Sequence, residues 1–190
     1  DGQEIRDVTL SSLRGAVRVV QQDPFLFTSS LENNIAYGDP WVHDDAITDA
    51  AAPAQIDGFV DQLPEGYQTL VGERGVSLAG GQKQRLAIAR AAILDASFLI
   101  FDDSTAAIDA GTEQRIRHAL RSHTEKCATI IISHRLGGLR HADVIIFLEA
   151  GRVVERWTHK ALIAQGGRYA ALFALQSHDA EDAPLDGEAV

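Results

Sequence analysis

Short, unbroken apolar runs alternate with amphipathic stretches along this chain. Residues 98–101 (FLIF) and 129–132 (TIII) are the clearest runs. Runs of this kind are typical of the central strands of a parallel sheet, which are covered on both faces. Further strands are predicted at residues 17–21, 144–148 and 152–156. We therefore expect a sheet built largely from parallel strands.

Helical periodicity fills the segments between these runs. Residues 82–93 place Leu86, Ala89 and Ile93 on one face of a helix, and residues 112–123 form a second helical pattern. Further helices are predicted at residues 11–14, 44–52, 54–63, 158–164 and 167–176. Strands that alternate with helices in this way indicate an α/β fold.

The start of the helix near residue 82 is a candidate anion site. Gly80 and Gly81 allow the backbone to turn tightly and to approach a ligand closely. The unpaired N–H groups and partial positive charge of a helix N-terminus attract phosphate. An ordinary glycine-rich helix start explains the same residues, so this segment alone leaves both interpretations open.

Two carboxylates, Asp102 and Asp103, directly follow the apolar run at residues 98–101. Open α/β sheets bind their ligands at the carboxyl ends of the strands. One carboxylate can hold a Mg²⁺-bound water there while the other orients an attacking water, as phosphoryl transfer requires. The alternative is a pair of acidic residues that only faces solvent, but a buried strand is not expected directly before such a pair. His134, just past the second run, could contact a γ-phosphate, although a lone histidine is more often structural.

In their order along the chain, these segments resemble the exporter-type nucleotide-binding domain of the ATP-binding cassette (ABC) family. The matching motifs are VVQQDPFLF (residues 19–27, the Q-loop), GERG (72–75, the X-loop), LAGGQKQR (78–85, the signature), FLIFDD (98–103, Walker B), STAAID (104–109, the D-loop) and SHRL (133–136, the switch histidine). The resemblance implies a P-loop NTPase-like (RecA-like) parallel sheet flanked by helices, with an inserted helical signature subdomain. It covers residues 1–176, with the helical subdomain at about residues 25–95.

The resemblance also implies ATP and Mg²⁺ as ligands and gives roles to individual residues. Asp102 would hold Mg²⁺ through water, and Gln22 would sense both Mg²⁺ and the attacking water. Asp103 stands in the place of the catalytic base, and His134 would contact the γ-phosphate. The other site residues would face the nucleotide of a second nucleotide-binding domain across a dimer: Ala79, Gly80, Gly81, Gln82 and Asp109.

Two positions depart from the family pattern. Asp103 replaces the usual glutamate, and its carboxylate is one methylene shorter. A misplacement of about 1 Å costs on the order of 10²-fold in rate, and this substitution resembles the weakened site of heterodimeric exporters. Ala79 replaces the usual signature serine and so removes a hydroxyl and a helix N-cap. We therefore expect a non-identical second nucleotide-binding domain as the partner.

The phosphate-binding pattern GxxxxGK[ST] of Walker A does not occur in these 190 residues. Lys83, Lys126 and Lys160 are followed by Gln, Cys and Ala. Because that loop supplies the backbone cradle and the lysine for the β- and γ-phosphates, most of the ATP-binding energy should be missing. The expectation is an N-terminally truncated cassette that lacks Walker A and that is inactive as an isolated fragment. The acidic residues 177–190 are expected to be disordered.

Composition narrows the choice of partners. No run approaches the ~20 apolar residues that span a bilayer, so membrane association would come through a partner. The net charge of −10 without clustered Lys or Arg argues against nucleic-acid binding. The single cysteine, Cys127, fits a reducing compartment.

The family resemblance places the domain at the cytoplasmic face of the cell membrane, against the transmembrane domains of an exporter. Those domains would contact residues 22–27, which include Gln22 and Phe27, and the region of Glu73. Phe25, Leu26 and Phe27 are equally compatible with ordinary packing. Two other functions stay open. A soluble cassette ATPase acting on DNA or ribosomes would carry coiled-coil or basic inserts, and a nucleotide-incompetent cassette would act only as an interaction module.

Overall fold

The computed structural model describes residues 2–39, 41–72, 77–94, 96–123 and 127–181. The chain divides into two compact units, Asp1–Ile132 and Ser133–Val190. Each unit has a hydrophobic cluster of its own. The predicted single domain at residues 1–176 therefore contains a boundary at residue 132 that the sequence pattern did not indicate.

Three strands form the sheet in the described part of the first unit: β1 (Val17–Val20), β2 (Phe98–Asp102) and β3 (Ala128–Ile132). Their order is β1-β2-β3, and both pairings are parallel. The register pairs Val20 with Phe101, and Asp102 with Ile132. The three strands thus end at one edge of the sheet, and the predicted parallel α/β architecture is confirmed.

The helices of the first unit begin at polar caps or turns. Thr9 Oγ1 accepts a hydrogen bond from Ser12 N (3.2 Å), and Ser30 Oγ accepts one from Asn33 N (3.1 Å). Such side-chain caps satisfy N–H groups that have no partner inside the helix. The helices are α1 (Leu10–Ala16), α2 (Leu31–Ile35), α3 (Asp44–Ala51), α4 (Asp57–Val60), α5 (Gly80–Ala92) and α6 (Ala110–His123).

One hydrophobic core joins these helices to the sheet. Leu31 and Leu86 from the helices are fully buried, and they belong to the same cluster as Leu99 and Phe101 of β2. Segments from the predicted helical subdomain (about residues 25–95) therefore share their core with the strands in this unit. The burial of α5 follows its sequence pattern, since its apolar face points into this core.

The described residues cover the runs at residues 98–101 and 129–132 only in part. In β2, Leu99 is buried whereas Phe98 is 45% exposed. Every residue of β3 is exposed, with Ile132 at 51%. An apolar run shows that burial would be favourable, but it does not show which other residues provide the cover.

The second unit contains a β-hairpin and two helices. β4 (Ile145–Glu149) pairs with β5 (Arg152–Trp157) in antiparallel register. Ala150 (φ 47°) and Gly151 (φ 74°) form the connecting turn, and consecutive left-handed residues suit a tight hairpin. The helices α7 (His159–Gln165) and α8 (Arg168–Glu181) follow. Both strands were predicted, although their antiparallel pairing was not.

Helix α8 extends through Glu181, into the segment at residues 177–190 that was expected to be disordered. Residues 182–190 lie outside the described part of the chain.

Candidate active site

The loops that follow β1 and β2 bring predicted site residues to one edge of the sheet. Gln22 lies two residues beyond Val20, and Asp103 lies two residues beyond the paired Phe101. Neighbouring strands are about 5 Å apart, so the two loops start side by side. Asp103 N donates a hydrogen bond to Ile132 O (2.8 Å), which ties the end of β2 to the end of β3. Gln22, Asp102 and Asp103 therefore belong to one edge.

Asp103 has an unusual backbone conformation. Its φ of 44° lies in the left-handed region, which aspartate tolerates better than most residues. Ala106 N donates to Asp103 O (3.2 Å), which closes a turn directly after the strand. The side chain of Asp102 is exposed, while Asp103 is half-buried. The strand end thus turns sharply and leaves the Asp102 carboxylate accessible.

Ser104 is the next residue, and its hydroxyl has no visible role in the fold. The residue is 1% exposed, and its Oγ has no hydrogen-bond partner among the described residues. An unpaired buried hydroxyl is costly. Ser104 follows Asp102 and Asp103 in the chain, and the exposed Asp102 carboxylate is an oxygen ligand of the type that Mg²⁺ prefers. This carboxylate therefore fits Mg²⁺.

The described residues contain no group of three His, Cys, Asp or Glu side chains that could hold a metal ion by themselves. Magnesium does not need such a group, because it is commonly held by one or two carboxylates together with waters and substrate phosphates.

The signature helix α5 begins without a side-chain cap. Ala79 occupies the N-cap position with extended backbone angles, and no side-chain hydrogen bond is made there. The carboxamide of Gln82 compensates in part, because its Oε1 accepts from Ala79 N (2.9 Å). As expected, Ala79 provides no side-chain cap. The side-chain oxygen of Gln82 is hydrogen-bonded at the start of its own helix.

Gly80 and Gly81 are needed for packing as well as for any ligand. A Cβ on Gly81 would lie 2.9 Å from the carbonyl oxygen of Ala107, and one on Gly80 would lie 3.3 Å from Ala107 Cβ. The loop at residues 103–109 thus rests directly on the start of α5. Close approach of another backbone is a common reason for glycine, and the sequence did not show which backbone this would be.

Gln84 is the functional candidate that the sequence pattern missed. Its side chain is buried in α5, with Nε2 donating to Gln22 O (3.3 Å) and Oε1 accepting from Ala107 N (3.0 Å). A signal was available, since Gln84 shares the helix face of Ile88 and Ala91, and a polar residue on an apolar face needs partners.

Asp109 caps helix α6. Its Oδ1 accepts a hydrogen bond from Thr112 N (2.9 Å), and hydrogen bonds from Thr112 hold the pKa of this exposed carboxyl below its usual value. A carboxylate at a helix N-terminus is also favoured by the helix dipole. The structure thus gives Asp109 a local structural role, and its predicted reach across a dimer stays a prediction.

His134 lies in the second unit, and its side chain is exposed. Its carbonyl oxygen accepts from Gln176 Nε2 (2.7 Å), while Gln176 Oε1 accepts from Leu136 N (2.9 Å). These bonds hold backbone atoms of His134 and Leu136 and do not involve the imidazole. The predicted contact of His134 with a γ-phosphate stays a prediction. Glu73 and its neighbours at residues 74–76 lie outside the described residues, so the predicted contact at Glu73 stays a prediction.

A cavity of about 340 Å³ opens beside the loop after β1. It is lined by Gln21, by Phe25, Phe27 and Tyr37, and by Arg90 of α5, among others. Phe25 is 54% exposed, whereas Leu26 is fully buried. Ordinary packing, one of the two interpretations of residues 25–27, thus applies to Leu26. The other, an exposed contact with a partner, is open to Phe25.

No helix in the described ranges is long and apolar enough to cross a bilayer.

Comparisons with known proteins agree with this geometry. Residues 1–106 match the family model described as ABC transporter. The chain is 45% identical to the uncharacterized ABC transporter ATP-binding protein YknU of Bacillus subtilis (strain 168), over 94% of this chain and 31% of that protein. It is also 45% identical to the ATP-dependent lipid A-core flippase of Aromatoleum aromaticum, over 98% of this chain and 31% of the flippase.

A solved structure, that of a bacterial Atm1-family ABC exporter with ATP bound, resembles this chain with a TM-score of 0.90 and 42% identity. The match covers 93% of this chain and 31% of that one, so the chain spans about a third of the length of these relatives. With its family model, its relatives and its fold in agreement, the chain belongs to the ABC transporter family.

Proposed function

We propose that these residues are the ATP-hydrolysing cassette of a membrane exporter. The observation that carries the proposal is the shared strand register, which starts the loop of Gln22 and the loop of Asp102 and Asp103 at the same edge of the sheet. Ligands of open parallel sheets bind at this edge. Family membership makes ATP the expected ligand, and the exposed carboxylate of Asp102 suits its magnesium ion.

Each site residue has a proposed task. Asp102 holds Mg²⁺ through water, and bound Mg²⁺ would neutralise charge on the phosphate oxygens. Gln22 orients the attacking water, and Asp103 accepts a hydrogen bond from that water. His134 donates to the γ-phosphate. The 190 residues contain no GxxxxGK[ST] pattern, so on their own they should bind Mg-ATP only weakly.

A second nucleotide-binding domain completes the proposed site. By family resemblance, Ala79, Gly80, Gly81 and Gln82 face the partner's nucleotide, and Asp109 reaches toward the partner. Asp103 and Ala79 weaken opposite sites of such a dimer, which favours a non-identical partner with one stronger site. The short carboxylate of Asp103 and the uncapped start of α5 support this assignment.

Transmembrane domains are the second proposed partner. The cavity beside Phe25, Phe27 and Tyr37 is large enough for a few side chains of a helix, and its rim is aromatic. The exposed Phe25 offers an apolar contact. The relatives named as flippases and exporters support a location at the cytoplasmic face of the membrane.

Hydrolysis by the intact protein in lipid vesicles tests the proposed activity. Asp102→Asn should lower ATP hydrolysis about 10²-fold and raise the Mg²⁺ concentration needed for half-maximal rate, because a neutral amide holds Mg²⁺-bound water poorly. The matched control is Asp61→Asn, which removes a charge from an exposed position just after α4. Equal hydrolysis by the two variants would reject the proposed site.

Co-purification tests the membrane assignment. If the intact protein acts as an exporter, its ATPase activity should sediment with the membrane fraction. Release of this activity should require detergent. Full activity in the soluble fraction, with bound DNA or ribosomes, would favour a cassette ATPase that does not transport.

A further inference from the structure

Gln84, in α5, hydrogen-bonds to both of the loops at the ligand edge of the sheet. Its Nε2 donates to the carbonyl oxygen of Gln22 (3.3 Å), 62 residues earlier in the chain. Its Oε1 accepts from the N–H of Ala107 (3.0 Å), 23 residues later. The loop of Gln22 and the loop at residues 103–109 are therefore joined through one buried carboxamide.

The chemistry of this link requires a side chain that both donates and accepts. A backbone carbonyl can only accept and a backbone N–H can only donate, so the bridging group must offer one donor and one acceptor. Gln84 is 5% exposed, and each bond would be costly to lose because water cannot replace it there. An aliphatic side chain would leave both backbone groups unpaired, and a carboxylate would repel the carbonyl oxygen of Gln22.

Ala107 is held from two sides. Its N–H is bound by Gln84, and its carbonyl oxygen lies where a Cβ on Gly81 would be only 2.9 Å away. The loop at residues 103–109 thus cannot shift without disturbing the start of α5. Asp103 begins this loop, and Gly80 and Gly81 begin the helix, so residues proposed for opposite nucleotide sites meet at Ala107.

We propose that Gln84 is a positioning residue that holds the loops of Gln22 and Asp103 in register with the signature glycines. It touches neither nucleotide nor metal, and it acts through the backbone of Gln22 and Ala107. This inference rests on the proposed ATPase function. In this proposal, Gln84 couples the residues that act in one nucleotide site to the residues that face the other site.

Gln84→Glu provides a sharp test in the intact protein, because a protonated carboxyl reproduces both hydrogen bonds of the carboxamide. Burial disfavours a charged carboxylate, so the introduced group should be protonated at mildly acidic pH. Relative to wild type at the same pH, we expect kcat about tenfold lower at pH 8.5 and within about twofold of wild type at pH 6. The KM for ATP should change less than twofold at both pH values.

The same neighbouring charged groups are present in both proteins, so the ratio of kcat to wild type at the same pH compares the two side chains at position 84. These groups are Lys83 and Arg85 on α5, Asp23 beside Gln22, and Asp102 and Asp103 after β2. Gln165→Glu, at an exposed position in the second unit, is the matched control and should follow wild type throughout. Gln84→Leu should be about tenfold slower at every pH, with no recovery in acid.

A pH-independent ratio for Gln84→Glu, or wild-type kcat for Gln84→Leu, would overturn the inference. The outcomes for the two proposals are distinguishable. Wild-type protein without ATPase activity would reject the proposed function, whereas active wild type with unaffected Gln84 variants would reject only the role of Gln84. If Gln84→Leu does not fold, the acid recovery of Gln84→Glu still decides the matter.

Discussion

The Oδ1 atom of Asn34 lies 2.7 Å from Nη2 of Arg90, although 56 residues separate them in the chain. Arg90 also donates from Nε to Asn34 O (2.7 Å) and from Nη1 to Phe25 O (2.8 Å). Its guanidinium lies 5.5 Å from the centre of the Phe27 ring. Burial lowers the pKa of Arg90 from its usual value. A partly desolvated cation that lines the cavity is thus held by carbonyl groups and an aromatic face.

Asn34→Ala should destabilise the protein by about 3 kcal/mol. Asn34 is fully buried, and its side chain also accepts from Phe27 N and donates to Phe27 O and Ser30 O, each at 3.0 Å. Truncation would leave the N–H of Phe27 and one edge of Arg90 unpaired, and each buried unpaired group costs about 1–3 kcal/mol. Urea unfolding of the purified protein measures the change.

The neighbouring Asn33→Ala is the control for this prediction. Asn33 is exposed, and its amide donates to the hydroxyl of the half-buried Ser29 (3.0 Å). Its removal should change stability by less than about 0.5 kcal/mol. Equal losses for the two variants would show that the network around Arg90 does not carry the stability assigned to it.

Gly81→Ala should be more destabilising than Gly80→Ala. A Cβ at Gly81 would press on the backbone oxygen of Ala107 at 2.9 Å, which cannot move without shifting the loop, whereas a Cβ at Gly80 meets only the Ala107 methyl at 3.3 Å. Alanine is the better helix former by up to ~1 kcal/mol, so Gly80→Ala should be near neutral. Overpacking should make Gly81→Ala less stable than wild type by about 1–2 kcal/mol. Thermal unfolding compares them, and the reverse order would contradict the packing argument.

The sequence was sufficient to predict the parallel strands and the residues that follow them. The runs at residues 98–101 and 129–132 are strands, and Asp102 and Asp103 end the first of these where a ligand edge was expected. These features are local, because they depend on periodicity and on the residue types at strand ends.

The contacts between distant segments could not be predicted in the same way. Gln84 appeared as one polar residue within a helix, and nothing in its neighbourhood indicated that its partners would be Gln22 and Ala107. The cover of β3 could not be predicted for the same reason, since an apolar run does not specify which residues pack on it. The antiparallel pairing of β4 with β5 follows from the short Ala150-Gly151 turn, a signal that was present but not used.

Ala79→Ser should stabilise the protein by about 1 kcal/mol. The N-cap of α5 has extended backbone angles and no side-chain cap, so a hydroxyl there can accept from the first-turn N–H groups. Ala79→Thr and Ala79→Val have nearly the same shape, and their difference in thermal midpoint isolates the hydroxyl. A serine variant no more stable than wild type would contradict the cap argument, because Gln82 binds only the N–H of Ala79 itself and leaves those of the first turn for the hydroxyl.

Asp109 should make stability depend on pH in the acid range. The pKa of its carboxyl is lowered in the folded protein by hydrogen bonds from Thr112. Its contribution is therefore complete above the unfolded pKa of about 3.9 and is lost as pH falls through the lower folded value. Asp109→Asn keeps a cap without a titrating charge.

The difference in thermal midpoint between wild type and Asp109→Asn should be constant from pH 7 to pH 5 and should shift against wild type below about pH 4. Asp109→Ala, which lacks any cap, should be the least stable of the three at neutral pH. A difference between wild type and Asp109→Asn that stays flat down to pH 3 would contradict the hydrogen-bond assignment.

Asp103→Glu should raise ATP hydrolysis by the intact protein, by up to on the order of 10²-fold. The longer side chain would restore the reach of the family's usual glutamate. Asp103→Asn is the control, since it keeps the length and the tolerance for φ 44° but cannot act as a base. It should hydrolyse ATP more slowly than wild type. If Asp103→Glu leaves the rate unchanged or lowers it, the short carboxylate is not what limits this site, and the proposed non-identical partner loses its main support.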